Sequence, residues 1–313
     1  MKFGIDHPNF SYDGKSEQIV ESLRNITTTA ESLGYDSFWV MDHFHQIPNV
    51  GEEHEPMLEG WTTLGTIAGF TSKIRLGTLV TGIIYRHPTI LAKIGATLDV
   101  LSKGRLFMGI GAAWNESESK AYGIPFPTTR ERFRRLEESV QIIKRMWTEE
   151  RANFDGHYYK VHDAYCNPKP IQKPHPPIMI GGSGERETLK LVAKYADACN
   201  LFGSPQIVKK KLDVLREHCK RVGRDYNSIL KTKLGVVLMD KDRAALDKRV
   251  ADRFKGVPED MRKEFAVIGT PEEAKRQIET FRDSGIDYFI TGFEWGREVQ
   301  SAQLFANEVM KHF

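Results

Sequence analysis

The 313 residues are expected to fold as one α/β domain, a TIM-like (β/α)8 barrel. Two observations predict it. Short apolar or β-branched runs alternate with longer amphipathic ones, the pattern of repeated βα units around a parallel sheet. These runs number eight, which suits a closed barrel better than a doubly wound sheet. No composition shift or low-complexity stretch marks a second domain, so residues 1–313 read as a single barrel.

In order, strands are expected at 2–6, 37–41, 74–80, 106–110, 178–180, 198–202, 229–239 and 288–291. Between the fourth and fifth, Phe133, Leu136, Val140, Ile143 and Trp147 recur at helical spacing, with Arg and Glu on the opposite, solvated side. Before the last strand, Thr270-Pro271-Glu272-Glu273 forms a capping box with proline at the first helical position, and Ala274, Ile278 and Phe281 share one face behind it. Two insertions interrupt the repeat, 52–60 after strand two and 154–177 after strand four. Stretches of this length usually serve as lids or packing elements.

Composition narrows the function. The formal charge of +3 comes from 45 basic and 42 acidic side chains spread along the chain, so no basic stripe invites nucleic acid. No apolar run approaches the roughly 20 residues of a membrane span, and no signal h-region opens the chain, so a cytoplasmic protein is expected. Cys166, Cys199 and Cys219 are odd in number and far apart, which suggests neither a disulfide framework nor a zinc knuckle. Cys199, in an apolar strand, reads as a buried thiol.

In such barrels the chemistry sits at the C-terminal strand ends. Strand one ends in Asp6 and His7, strand two in Asp42, His43 and His45, and strand three in Val80 and Thr81. Strand four ends in Gly111, Ala112, Ala113, Trp114, Asn115 and Glu116, and strand five in Gly181, Gly182, Ser183 and Gly184. Arg75 and His175 lie toward the opposite end and read as structural. His43-Phe44-His45 could aim two imidazoles at one ion, but strands five, six and eight end in Gly-Gly-Ser-Gly, Leu201-Phe202-Gly203 and Thr291-Gly292-Phe293, which supply no further ligand. No metal is expected. Ser183 lacks the G-x-S-x-G elbow of a nucleophile. Its glycine-rich loop before a helix suits a phosphate, or simply a tight turn. Small residues leaving strand four make room for a flat ring whose edge Asn115 could bond, or a glycine-rich turn around a packed Trp. The glycine spacing is not that of a Rossmann fingerprint.

Four stretches in order, "DHF", "LVTGIIYRHP", "GIGAAWNESESKAYGIPFP" and "NPKPIQKPHPPIMIGGSGE", resemble the bacterial luciferase-like flavin and deazaflavin oxidoreductases, especially the branch that uses coenzyme F420. The similarity runs from residue 1 to about 292. It implies a cofactor ring lying across the strand ends, a cis peptide at Leu79–Val80 behind it, its phosphate at the Gly181-to-Gly184 loop, and Asp42 and Asn115 at its polar edge. It implies hydride transfer between F420 and a small organic substrate, with His43 handling the proton. An FMN-dependent monooxygenase, using O2 and reduced flavin from a partner flavin reductase, is the alternative. A non-catalytic flavin-binding protein and a metal hydrolase are the readings outside that chemistry. Family members are often dimers, so a homodimer is implied. The related sugar phosphate dehydrogenases carry a Trp where this chain has Ile47 and a Glu where Trp114 stands, so glucose 6-phosphate is not the expected substrate. His7, Ile47, Trp114, Glu116 and the insertion containing His54 are the positions where a substrate would be met.

Overall fold

The computed structural model describes residues 1–12, 16–48 and 50–313. Its strands are β1 (Lys2–His7), β2 (Ser37–Val40), β3 (Arg75–Thr78), the short β4 (Thr81–Gly82), β5 (Leu106–Gly111), β6 (Ala152–Asp155), β7 (Lys160–Ala164), β8 (Ile178–Gly181), β9 (Ala198–Leu201), β10 (Leu230–Met239), β11 (Ala266–Gly269) and β12 (Tyr288–Phe293). Its helices are α1 (Ile19–Ser32), α2 (Gly60–Phe70), α3 (Pro88–Leu101), α4 (Glu116–Ala121), α5 (Thr129–Thr148), α6 (Thr188–Tyr195), α7 (Pro205–Val222), α8 (Arg243–Arg253), α9 (Glu259–Phe265), α10 (Pro271–Asp283) and α11 (Glu298–Glu308). No helix among the described residues is long and apolar enough to cross a membrane.

Eight parallel strands close the barrel in the order β1, β2, β3, β5, β8, β9, β10, β12, with β12 returning to β1. Each corresponds to an expected strand. The third differs instructively: regular pairing stops at Thr78, the Leu79–Val80 peptide is cis, and the chain resumes as β4 against β5. The cis bond lies where the family resemblance put it.

Inside the barrel, Trp39, Phe107, Met179, Ala198 and Ile290 form a buried layer. Trp39 fits because its neighbour across the pair is Gly77, where a Cβ would strike the indole ring and the Phe107 carbonyl. Outside, α5 docks on α3 through Trp147, which is buried and donates its indole N–H to the Ala92 carbonyl at 2.8 Å. Gly95 lets it approach: a Cβ there would come within 2.9 Å of the ring. The capping box at Thr270 starts α10 as expected, with Ile278 and Phe281 buried beneath it. All three cysteines are buried thiols, and burial pushes Cys199 up to about 12.

A third insertion, which periodicity did not reveal, follows β10. Helices α8 and α9 lead into β11, which pairs with β10 from Val236 to Met239, beyond the stretch from Leu230 to Lys233 that pairs with β9. The insertion after strand four contains the hairpin of β6 and β7.

Candidate active site

At the C-terminal mouth of the barrel lies a cavity of about 290 Å³. Leu79, Val80 and Thr81 supply one wall, and Gly111, Ala112, Ala113 and Trp114, leaving β5, supply the next. Gly181 and Gly182 come from β8, Asn200 and Phe202 from β9 and its exit, and Leu234 from β10. Tyr85, Phe133 and Thr188 reach it from the surrounding loops and helices, and among the described residues His43 is the one imidazole that lines it.

The strand-exit glycines owe their size to the bulge rather than directly to a ligand. A Cβ on Gly181 would lie 2.8 Å from both Val80 methyls, and one on Gly111 would lie 2.9 Å from Val80 Cγ2. On Gly109 it would strike the Thr78 carbonyl. Val80 can therefore turn into the barrel mouth only because three facing positions lack side chains. Room for a flat ring comes from Ala112, Ala113 and Gly182, the last at φ +102°, where only glycine is at ease.

His43 is held from behind. Its Nδ1 lies 2.8 Å from Glu118 Oε2, and the same oxygen accepts the Tyr85 hydroxyl at 2.6 Å. Glu118 Oε1 accepts the backbone N–H groups of Phe44 and His45. The Glu118 side chain is fully buried. Burial opposes its charge, but the bonds from His43, Tyr85 and the Phe44 amide outweigh that and hold the carboxyl below its ordinary value. The Trp114 ring meets His43 edge-on at 5.4 Å and is itself largely exposed.

Several expected contacts lie elsewhere. Asp42 is buried behind the cavity in a bidentate pair with Arg86 at 2.6 and 3.0 Å, and Arg86 also binds Glu59, the N-cap of α2. Burial raises the Asp42 carboxyl above its ordinary range against the pull of Arg86. Asn115 does not line the cavity; its side-chain oxygen caps α4 by accepting the Glu118 N–H at 3.3 Å. Both thus have partners within the local structure. Ser183 and Gly184 stand just beyond the cavity, where the Ser183 hydroxyl receives Lys211 Nζ at 2.7 Å. His7 is buried and opens on a separate cavity with Tyr12 and Trp295. Ile47 and Glu116 do not line the His43 cavity, Glu116 being an exposed partner of Lys120, and His54 is exposed. His45 diverges from His43 toward its own partners, the Gln46 carbonyl and Glu53.

Sequence reasoning missed Glu118, Tyr85, Lys211 and Thr188. Glu118 stands in the polar run Glu-Ser-Glu-Ser-Lys, which reads as a solvated helix face. Its position three residues after the Asn115 cap would have sent it back to the cap rather than to His43. Lys211 carried one usable signal: it lies near the start of α7, whose first residues follow the β9 exit at the same mouth.

Residues 1–255 match the luciferase-like monooxygenase family. The chain belongs to that family. An F420-dependent glucose-6-phosphate dehydrogenase of Kineococcus radiotolerans is 39% identical over 187 residues, 59% of this chain and 52% of that protein. The match therefore spans about half of that relative's length. One from Segniliparus rotundus is 29% identical over 311 residues, 89% of this chain and 90% of that protein. Among solved structures, the coenzyme F420-dependent tetrahydromethanopterin reductase of Methanopyrus kandleri superposes with a TM-score of 0.83 at 22% identity, covering 100% of this chain and 99% of that one. At that identity the likeness speaks for the luciferase-like barrel itself.

Proposed function

We propose that this luciferase-like protein is an F420-dependent oxidoreductase that moves a hydride between the deazaflavin coenzyme and a small organic substrate, with His43 carrying the accompanying proton. The observation that carries the reading is an imidazole opening on a barrel-mouth cavity and backed by an ionised, buried carboxylate. The residues fit the coenzyme. A cavity of about 290 Å³, with small residues on two sides, suits a tricyclic ring but not a whole dinucleotide-sized molecule. Leu79, Val80, Ala112, Ala113 and Gly182 would hold the ring. The hydroxyls of Ser183 and Thr188, with Lys211 beside them, form a donor set suited to a phosphate.

When bound, the coenzyme supplies the hydride acceptor or donor. The chain contributes the rest. The apolar walls exclude water, Trp114 covers the His43 side, and Nε2 of His43 takes a proton from, or returns it to, the substrate oxygen. General acid–base groups of this kind are worth about 10²- to 10⁴-fold in rate. Monooxygenation, the activity for which the family is named, makes an FMN-dependent monooxygenase the second reading. Titrating the purified protein with F420 and with FMN separates them. F420 binding, with coenzyme reduction by members of an alcohol panel, is the expected result. Tight FMN binding with substrate-dependent oxygen uptake and no F420 binding would replace this reading with the second. His43→Ala should lower kcat by about 10²- to 10⁴-fold while coenzyme binding stays within threefold.

A further inference from the structure

We infer that Glu118 is a positioning residue that fixes the tautomer of His43, so that Nε2 faces the cavity as a proton acceptor. The inference rests on the proposed proton role of His43 and adds the device that makes the ring ready for it.

The argument is one of donors and acceptors. An ionised carboxylate only accepts. Glu118 is buried and receives four groups: the Phe44 and His45 amides on Oε1, and Tyr85 and His43 on Oε2. Two are backbone N–H groups that can do nothing but donate. The short Tyr85 contact is satisfied by the phenol's own proton, since that hydroxyl is held well above its usual range by burial and by Glu118. Nδ1 of His43 must therefore carry the hydrogen it shares with Glu118. In the neutral ring that leaves Nε2 bare, and among the described residues Nε2 has no partner. His43 lines the cavity, with Trp114 against its edge.

Three consequences follow. The loop from His43 to His45 is pinned to α4, so the imidazole cannot swing away. The ring cannot adopt the Nε2–H form without placing a bare Nδ1 against a carboxylate. When a substrate O–H bond breaks and an Nε2–H bond forms, the imidazolium sits beside a negative charge already in place. In alcohol oxidation the electron pair of the substrate C–H bond would leave with the hydride to the oxidised coenzyme, the substrate would become a carbonyl, and the O–H proton would stay on His43.

Glu118→Gln is the informative variant, because glutamine can keep its carbonyl on the backbone amides while its NH2 donates to Nδ1. That inverts the tautomer to Nε2–H with little change of shape. The test begins with nitrogen-15 NMR of histidine-labelled protein without coenzyme, with the His43 signals assigned by their loss in His43→Asn. The wild type should show the Nδ1–H form above its titration midpoint, and Glu118→Gln the Nε2–H form. In turnover, Glu118→Gln should lower kcat by about 10²- to 10⁴-fold with KM for the coenzyme within twofold, and should move the acidic limb of the kcat–pH profile to lower pH. An Nε2–H wild type overturns the inference whether or not the variant folds. So does a Glu118→Gln enzyme that keeps its kcat within threefold where His43→Ala has lost it. A protein that neither binds nor turns over F420 but shows the Nδ1–H ring removes the proposed function and leaves the positioning intact.

Discussion

Gly181→Ala tests whether the bulge at Val80 shapes the site. The new Cβ would sit 2.8 Å from both Val80 methyls and 3.3 Å from its Cβ. Carbon atoms prefer about 3.5–4.0 Å, so Val80 or β8 must shift by the better part of an ångström. Overpacking of this kind costs about 1–3 kcal/mol. Val80→Ala alone removes two methyl groups from a half-buried side chain, a loss of up to about 1.5 kcal/mol. In the double variant the added methyl occupies the vacated space, so the two costs should cancel in part, with a coupling of about 1–2 kcal/mol. Urea denaturation of the four proteins measures this through shifts in midpoint at constant slope. F420 or FMN binding measured alongside should weaken in Gly181→Ala and recover in the double variant. Additivity within about 0.5 kcal/mol would show that Val80 does not set the size of residue 181, and would refute the reasoning.

Other residues make separate predictions. Arg86→Met leaves the Asp42 carboxylate buried without its bidentate partner and should cost about 3–5 kcal/mol by chemical denaturation, most of it recovered when Asp42→Asn is added. Asp6 lies on the inward face of β1 with Oδ1 unpartnered, and burial lifts its carboxyl to about 7. Its folded value exceeds its unfolded value, so the native state holds the extra proton between about pH 4 and 7, and stability contributed by Asp6 is lost as pH rises through that window. Asp6→Asn should lack this slope, so the two stability–pH curves should diverge by up to about 4 kcal/mol across that window; identical curves would exclude it. Lys211→Met should weaken coenzyme binding by about 10- to 100-fold, the worth of a charged hydrogen bond, while kcat at saturation changes less than twofold. A large kcat loss with unchanged affinity would take Lys211 away from the phosphate.

Most of the barrel was legible because its signals are local. An apolar run with turn residues after it marks a strand wherever it lies, and Thr270 with Glu273 needs only three residues to start a helix. The exceptions show where local signals end. β11 is four residues long and pairs with the edge of β10 beyond its contacts with β9, so its identity depends on a partner distant in the chain. Asp42 and Asn115 were legible as polar groups at strand ends, but not their commitments. One pairs with Arg86 and the other accepts an amide three residues on, and neither side chain lines the cavity.

The sequence by itself determined the eight-stranded barrel, the end of each strand that faces the site and the candidacy of His43, because periodicity, turn chemistry and strand order are written within short windows. The tertiary structure alone decided what each side chain at that mouth is for. Glu118 lies 75 residues from the histidine it holds, and Val80 is matched to glycines on two other strands. Those pairings depend on distances between strand ends across a closed barrel, and closure is a property of all eight strands at once.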